Sequence, residues 1–194
     1  NAGGSFGRTL ETVTITASTP IAAGVLLGRF TGLKTVNLTG TPAGGLALVG
    51  TTGTNIGDTG VTTIDASGIS TNVAFTVDSS TSVASADLTI KGVAIGTNSI
   101  TGGLGNDTIT GGTGIDILTG GAGNDVLTGN GGGDNFIDGA GDDTITGGAG
   151  VDNVVGGTGD DTIVTGAGID TIGTGGGADR ITAGGGNDVI TLSG

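Results

Sequence analysis

From Gly102 to Thr191 the chain divides into ten consecutive nonamers with no insertion. The first three read GGLGNDTIT, GGTGIDILT and GGAGNDVLT, and the last two TGGGADRIT and AGGGNDVIT. Position four is Gly in every copy, from Gly105 to Gly186. Position six is always Asp: Asp107, Asp116, Asp125, Asp134, Asp143, Asp152, Asp161, Asp170, Asp179 and Asp188. Position eight is always apolar: Ile109, Leu118, Leu127, Phe136, Ile145, Val154, Ile163, Ile172, Ile181 and Ile190. Position two is Gly except at Asn130, and position one drifts to Asp138, Thr165, Thr174 and Ala183. A fixed period makes each repeat a unit that buries its apolar face only by stacking on its neighbours. A flexible Gly-rich linker has no reason to keep an apolar residue at every ninth place.

Composition narrows the architecture and the chemistry. With four Phe and no Trp or Tyr in 194 residues, the core must be thin, because large side chains normally fill a globule of this length. The net charge is −13 and Asp supplies 17 of the 18 acids, which excludes a nucleic-acid partner and makes cations the natural counter-charge. There is no Cys and no His, so zinc and copper lack their usual ligands. The missing His also removes Ser-His, Cys-His and HExxH catalysis, and the pairs Asp142-Asp143 and Asp160-Asp161 fall inside the repeat. The expectation is therefore a non-enzyme. No apolar run approaches the length of a membrane span.

The register GGxGxDxUx, with U a large apolar residue, resembles the RTX calcium-binding nonapeptide repeat over 90 residues. The resemblance implies an all-β fold, a parallel β-solenoid of the right-handed β-roll type. Positions seven to nine, as in Thr108-Ile109-Thr110, form short strands whose middle residue points inward, and positions one to six form the turn. Two nonamers close one coil of 18 residues, so the 90 residues make five coils stacked at ~4.8 Å. The Asp residues then fall into two rows. One carries Asp107, Asp125, Asp143, Asp161 and Asp179, and the other Asp116, Asp134, Asp152, Asp170 and Asp188. Stacked like charges oppose the fold unless a cation lies between them.

The same resemblance implies that calcium lies between vertically adjacent turns, held by the Asp side chain of each and by backbone carbonyls. The expected carbonyls are those of positions two and four: Gly103, Gly105, Gly112, Gly114, Gly121, Gly123, Asn130, Gly132, Gly139, Gly141, Gly148, Gly150, Gly157, Gly159, Gly166, Gly168, Gly175, Gly177, Gly184 and Gly186. Five turns per row bracket four gaps, so two rows give eight ions, whose sixteen positive charges offset the net −13. Magnesium, which demands tight octahedral geometry and keeps its waters, fits less well.

Residues 1–92 lack the nonamer and carry only four Asp. β-Rich runs at Thr12 to Thr16, Leu33 to Thr39, Val61 to Ala66, Asn72 to Val77 and Asp87 to Ile90 predict a calcium-poor β-solenoid with longer rungs, continuous with the β-roll of residues 93–194. Ile21 to Phe30 is the one helical candidate, weakened by Gly24 and Gly28. The nonamer Val93 to Thr101 keeps Gly96 and Ile100 but has Asn98 in place of Asp, which predicts a transitional rung with half a site. The phrases VTTIDASG, LTIKG and NSITGG beside the repeats resemble the RTX-type surface-layer proteins of Gram-negative bacteria.

That second resemblance implies a secreted structural protein at the cell surface. It would fold on meeting calcium outside the cell, self-associate into a lattice or fibre, and possess cell-surface glycan as a further candidate partner. The alternative is a calcium-folded RTX module of a secreted enzyme, toxin or adhesin. RTX proteins leave by type I secretion with a C-terminal signal. None follows the last repeat at Leu192-Ser193-Gly194, as expected of a segment cut from a longer chain.

Overall fold

Thr and aliphatic residues alternate along the chain, and this pattern builds strands rather than helices. The structure, a computed structural model, describes residues 12–17, 34–41, 46–49, 61–80 and 86–193. Among these the strands are β1 (Thr12–Ala17), β2 (Thr35–Gly40), β3 (Leu46–Val49), β4 (Thr63–Ile69), β5 (Phe75–Asp78), β6 (Thr89–Lys91), β7 (Asn98–Leu104), β8 (Thr108–Thr110) and β9 (Ile117–Ala122). They continue with β10 (Val126–Gly131), β11 (Asn135–Ala140), β12 (Thr144–Ala149), β13 (Asn153–Val155), β14 (Thr162–Ala167), β15 (Thr171–Gly173), β16 (Arg180–Gly185) and β17 (Val189–Thr191). The candidate helix at Ile21 to Phe30 lies outside the described residues.

The strands form two all-parallel sheets that the described strands visit alternately from β2 onward, which is a parallel β-solenoid. The first sheet runs β1-β2-β4-β6-β8-β10-β12-β14-β16, and the second runs β3-β5-β7-β9-β11-β13-β15-β17. From β7 onward each residue pairs with the one 18 positions later in its sheet, as Leu127 with Ile145 and Phe136 with Val154. Two nonamers therefore make one coil. Earlier rungs are longer: Thr35 pairs with Thr63 and Leu46 with Phe75. Both sheets cross from these rungs into the repeat without a break, β6 pairing with β8 and β5 with β7.

Side chains alternate along each strand, so position eight of every repeat points between the sheets. Ile109, Leu118, Leu127, Phe136, Ile145, Val154, Ile163 and Ile172 are buried, and they continue the core begun by Val36, Ile64, Phe75, Val77, Ile90 and Ile100. Within the repeat the core is thus one column of residues per sheet, aliphatic but for Phe136, which matches the scarcity of aromatics.

The turn differs from expectation. Strands such as β10 and β12 run on through positions one to three rather than stopping at nine. The cause is that the turn backbone stays in ladder register: Gly141 N–H donates to the Thr158 carbonyl at 2.8 Å, and Thr158 N–H to the Gly139 carbonyl at 2.9 Å. What bends the chain is left-handed backbone at positions two and four, as at Gly121 (φ 124°) and Gly123 (φ 122°). Among the described residues Asn130 is the sole non-Gly residue with positive φ, at 80°. It is also the sole departure from Gly at position two, and Asn tolerates this region better than other side chains.

Candidate metal centre

Each position-six Asp ends a turn immediately before a strand, and its side chain points inward like the apolar residue two places on. Asp107, Asp116, Asp125, Asp134, Asp143, Asp152, Asp161 and Asp170 are at most 2% exposed, while Asp179 and Asp188 in the last coil are half-buried. Burial at this level is rare for a carboxylate unless it is paired or holds a metal.

The carboxylates stack in two ladders. In the first, the backbone N–H of Leu88, Asp107, Asp125, Asp143 and Asp161 donates to Oδ1 of Asp107, Asp125, Asp143, Asp161 and Asp179 respectively, at 2.6–3.0 Å. In the second, the N–H of Asn98, Asp116, Asp134, Asp152 and Asp170 donates to Oδ1 of the next Asp in the row, at 2.7–3.0 Å. The second oxygen is different. Oδ2 of Asp107, Asp125, Asp134, Asp143, Asp152, Asp161 and Asp170 is buried and has no hydrogen-bond partner. At Asp116, Oδ2 accepts the Gly112 N–H.

Position one is Gly for a local reason. A Cβ at Gly102 would lie 2.1 Å from Asp107 Oδ2, and one at Gly120 would lie 2.2 Å from Asp125 Oδ2. The carbonyls of positions two and four face the following coil. The Gly105 oxygen fills the space a side chain at Gly123 would need, and the Gly103 oxygen does the same at Gly121. At position two the carbonyls of Gly112, Gly139 and Gly157 each also accept a ladder bond from the next coil, at 2.9–3.2 Å. Carbonyl oxygens of the turns thus point from one coil toward the next.

The electrostatics are unfavourable for carboxylates alone. Burial pushes Asp107 up to about 6 and Asp125 and Asp134 up to about 7. The backbone N–H bonds oppose this, and neighbouring carboxylates in the row add to it, Asp107 and Asp143 acting on Asp125 and Asp116 and Asp152 on Asp134. Burial raises Asp116, Asp143, Asp152 and Asp161 in the same direction. Among the described residues the one ion pair is Lys91 with Asp65, at 3.9 Å, far in sequence from both rows. A hard cation that accepts many oxygens fits this donor set, since it would occupy the orphaned Oδ2 atoms and hold the rows ionised.

The family model described as RTX calcium-binding nonapeptide repeat (4 copies) matches residues 101–135, 128–163 and 155–190. Residues 101–190 belong to that family. No curated protein and no solved structure matches the chain. The segment is an RTX-type calcium-binding β-solenoid module, and its 18-residue pairing places all ten sequence-selected Asp in the two rows expected of them.

Two features of the RTX module were not selected from sequence. Asp138, at position one, is fully buried with an orphaned Oδ2, and burial pushes it up to about 7. Position five forms a second, exposed ladder on one edge only. There, Oδ1 of Asp87, Asn106, Asn124, Asp142 and Asp160 accepts the N–H of Asn106, Asn124, Asp142, Asp160 and Ala178 in turn. The signal was present as Asn or Asp at 18-residue spacing.

Asn98, read from sequence as part of a transitional rung, stands at the start of the second row, next to Asp116. Its Oδ1 accepts the Val93 N–H at 2.7 Å, and its Nδ2 donates to Asp116 Oδ1 at 2.8 Å and to the Val93 carbonyl at 3.2 Å. Asn98→Asp removes both donors and sets a carboxylate against Asp116. At a limiting calcium concentration that still folds the chain it should destabilise the fold by about 1–3 kcal/mol, read from chemical denaturation. Excess calcium should reverse most of that loss, and an equal deficit at all calcium concentrations would show that Asn98 has no relation to the ion row.

Proposed function

We propose that this chain is a calcium-folded structural module of a secreted bacterial scaffold, a surface layer or a similar self-assembling array, with no catalytic role of its own. The observation that carries it is the pair of buried carboxylate rows, in which Oδ2 of seven of the ten Asp is buried with no hydrogen-bond partner. Such rows are ordered only when cations fill the gaps. Calcium would sit between successive position-six Asp of one row, held by both side chains and by the carbonyls of positions two and four, giving eight ions over five coils. Calcium is scarce inside cells and abundant outside, so folding would follow export.

Assembly is supported by the unlike edges of the rod. One edge carries the exposed Asn/Asp ladder. The other presents Ile115, Val151 and Ile169, at 60%, 62% and 57% exposure, beside the exposed Ile117, Ile137 and Val155 of the second sheet. Contiguous exposed aliphatic residues of this kind mark contact surfaces. With calcium added stepwise, light scattering should rise after the circular-dichroism signal of folding, and electron microscopy should then show ordered arrays or fibres. A strictly monomeric species at millimolar calcium would instead favour a module of a secreted enzyme, toxin or adhesin.

A further inference from the structure

The ten turns of the repeat are nearly alike, and Asp138 breaks the likeness. It occupies position one of the nonamer 138–146, where Gly102, Gly111, Gly120, Gly129 and Gly147 leave room for the neighbouring Asp carboxylate. In β11 it follows the alternation set by Phe136, so its side chain faces the interior and is 0% exposed. Its Oδ1 accepts the N–H of Gly139 at 2.7 Å, and its Oδ2 is buried with no partner. Asp143 lies in the same turn and Asp161 in the turn above, and the Oδ2 of each is likewise buried and unpartnered. One oxygen from each of the three carboxylates can be chosen so that all lie within 4.8 Å of one another.

We propose that Asp138, Asp143 and Asp161 form a distinct three-carboxylate cation site in the third coil-to-coil gap of the first row, the tightest site of the module and the one a trivalent ion enters first. The inference rests on the reading that calcium fills the gaps, and it adds an inequality among them. Each mid-row position-six Asp is shared by the gaps on either side of it, so an ordinary gap offers two shared carboxylates. This gap adds the whole of a third, one negative charge more than its neighbours hold, which favours a cation of higher charge. Affinity of oxygen-ligand sites rises with ligand charge, and preference for higher-charge ions rises with it. Every candidate oxygen is already buried, so binding needs no new desolvation of the protein.

The test is a calorimetric titration of the whole chain with calcium, and separately with europium read by direct-excitation luminescence. It compares the unaltered chain with Asp138→Gly, which restores the residue most other repeats carry, and with Asp142→Asn as an equal-charge control on the exposed ladder. The unaltered chain and Asp142→Asn should show one ion bound about tenfold or more tighter than the others, with europium displacing calcium there first. Asp138→Gly should lose that step while keeping its total ion count and its calcium-induced β-signal. Superimposable isotherms for the unaltered chain and Asp138→Gly would overturn the site and leave the calcium-filled rows standing. Failure of every chain to bind calcium would overturn both. Loss of the tight step in Asp142→Asn as well would assign it to bulk charge and overturn the site.

Discussion

In chelator at pH 7.5 the repeat should lose its β-signal in circular dichroism, and millimolar calcium should restore it. Within the repeat the core is one column of residues per sheet, aliphatic but for Phe136, which offers little to offset the entropy of ordering 90 residues. Against it stand eight position-six carboxylates that are at most 2% exposed. Acid should substitute for the ion in part. These Asp carboxyls hold protons more tightly folded than unfolded: burial lifts Asp107 to about 6 and Asp125 and Asp134 to about 7 from an ordinary 3.8. The native state therefore binds more protons than the unfolded one, and calcium-free stability falls as pH rises from about 4 through 7. Calcium-free chain at pH 4.5 should show more β-structure than at pH 7.5. With calcium present the trend reverses, because protons compete for the same oxygens. A chelated chain that keeps its full signal at pH 7.5 would refute the coupling of ion and fold.

The second large effect is expected from one of two adjacent residues. Asp125 is 1% exposed, accepts the Asp107 N–H at 2.7 Å, and donates its own N–H to Asp143 Oδ1 at 2.6 Å. It sits between two gaps. Asp125→Ala would orphan the Asp107 N–H and remove a ligand from both, at about 3–5 kcal/mol in excess calcium, a size typical of breaking a buried charged network. Asn124, one residue earlier, is exposed and its Oδ1 accepts only the Asp142 N–H at 3.0 Å. Asn124→Ala should cost about 0.5–1.5 kcal/mol. Chemical denaturation in excess calcium, together with the calcium midpoint of folding, separates the two. Equal losses would mean that position six has no special part in ion binding.

The contrast between those residues shows where sequence reasoning worked. Positions six and eight were legible because ten copies in register leave no other explanation for an invariant Asp and an invariant apolar residue. The fold followed, since nine residues of strand and turn can stack in few ways. The ladder at position five went unseen for an instructive reason. Pooled over ten copies it varies, with Ile115, Gly133, Val151, Ile169 and Ala178 among its occupants. Separated by row, the first edge reads Asn106, Asn124, Asp142, Asp160 and Ala178, and four of those five side chains bond the coil that follows. Asp138 was noticed only as drift, because nothing in a repeat pattern says that a position usually filled by Gly faces the interior. β3 was missed because Leu46–Val49 is an unbroken apolar run of four without alternation, too short to read by period.

The unlike edges also fix how such a rod can lengthen or shorten over generations. The text repeats every nine residues, yet the molecule repeats every eighteen. Losing a single nonamer would pass every residue above the cut to the opposite edge. Asn106 would then find an apolar edge over it, and the aliphatic edge would be interrupted by Asp. Losing a whole coil would rejoin each ladder to itself, with every remaining neighbour of its former kind. Insertions and deletions inside the rod are therefore expected in pairs of repeats, since a single nonamer gained or lost there leaves a fault in both ladders.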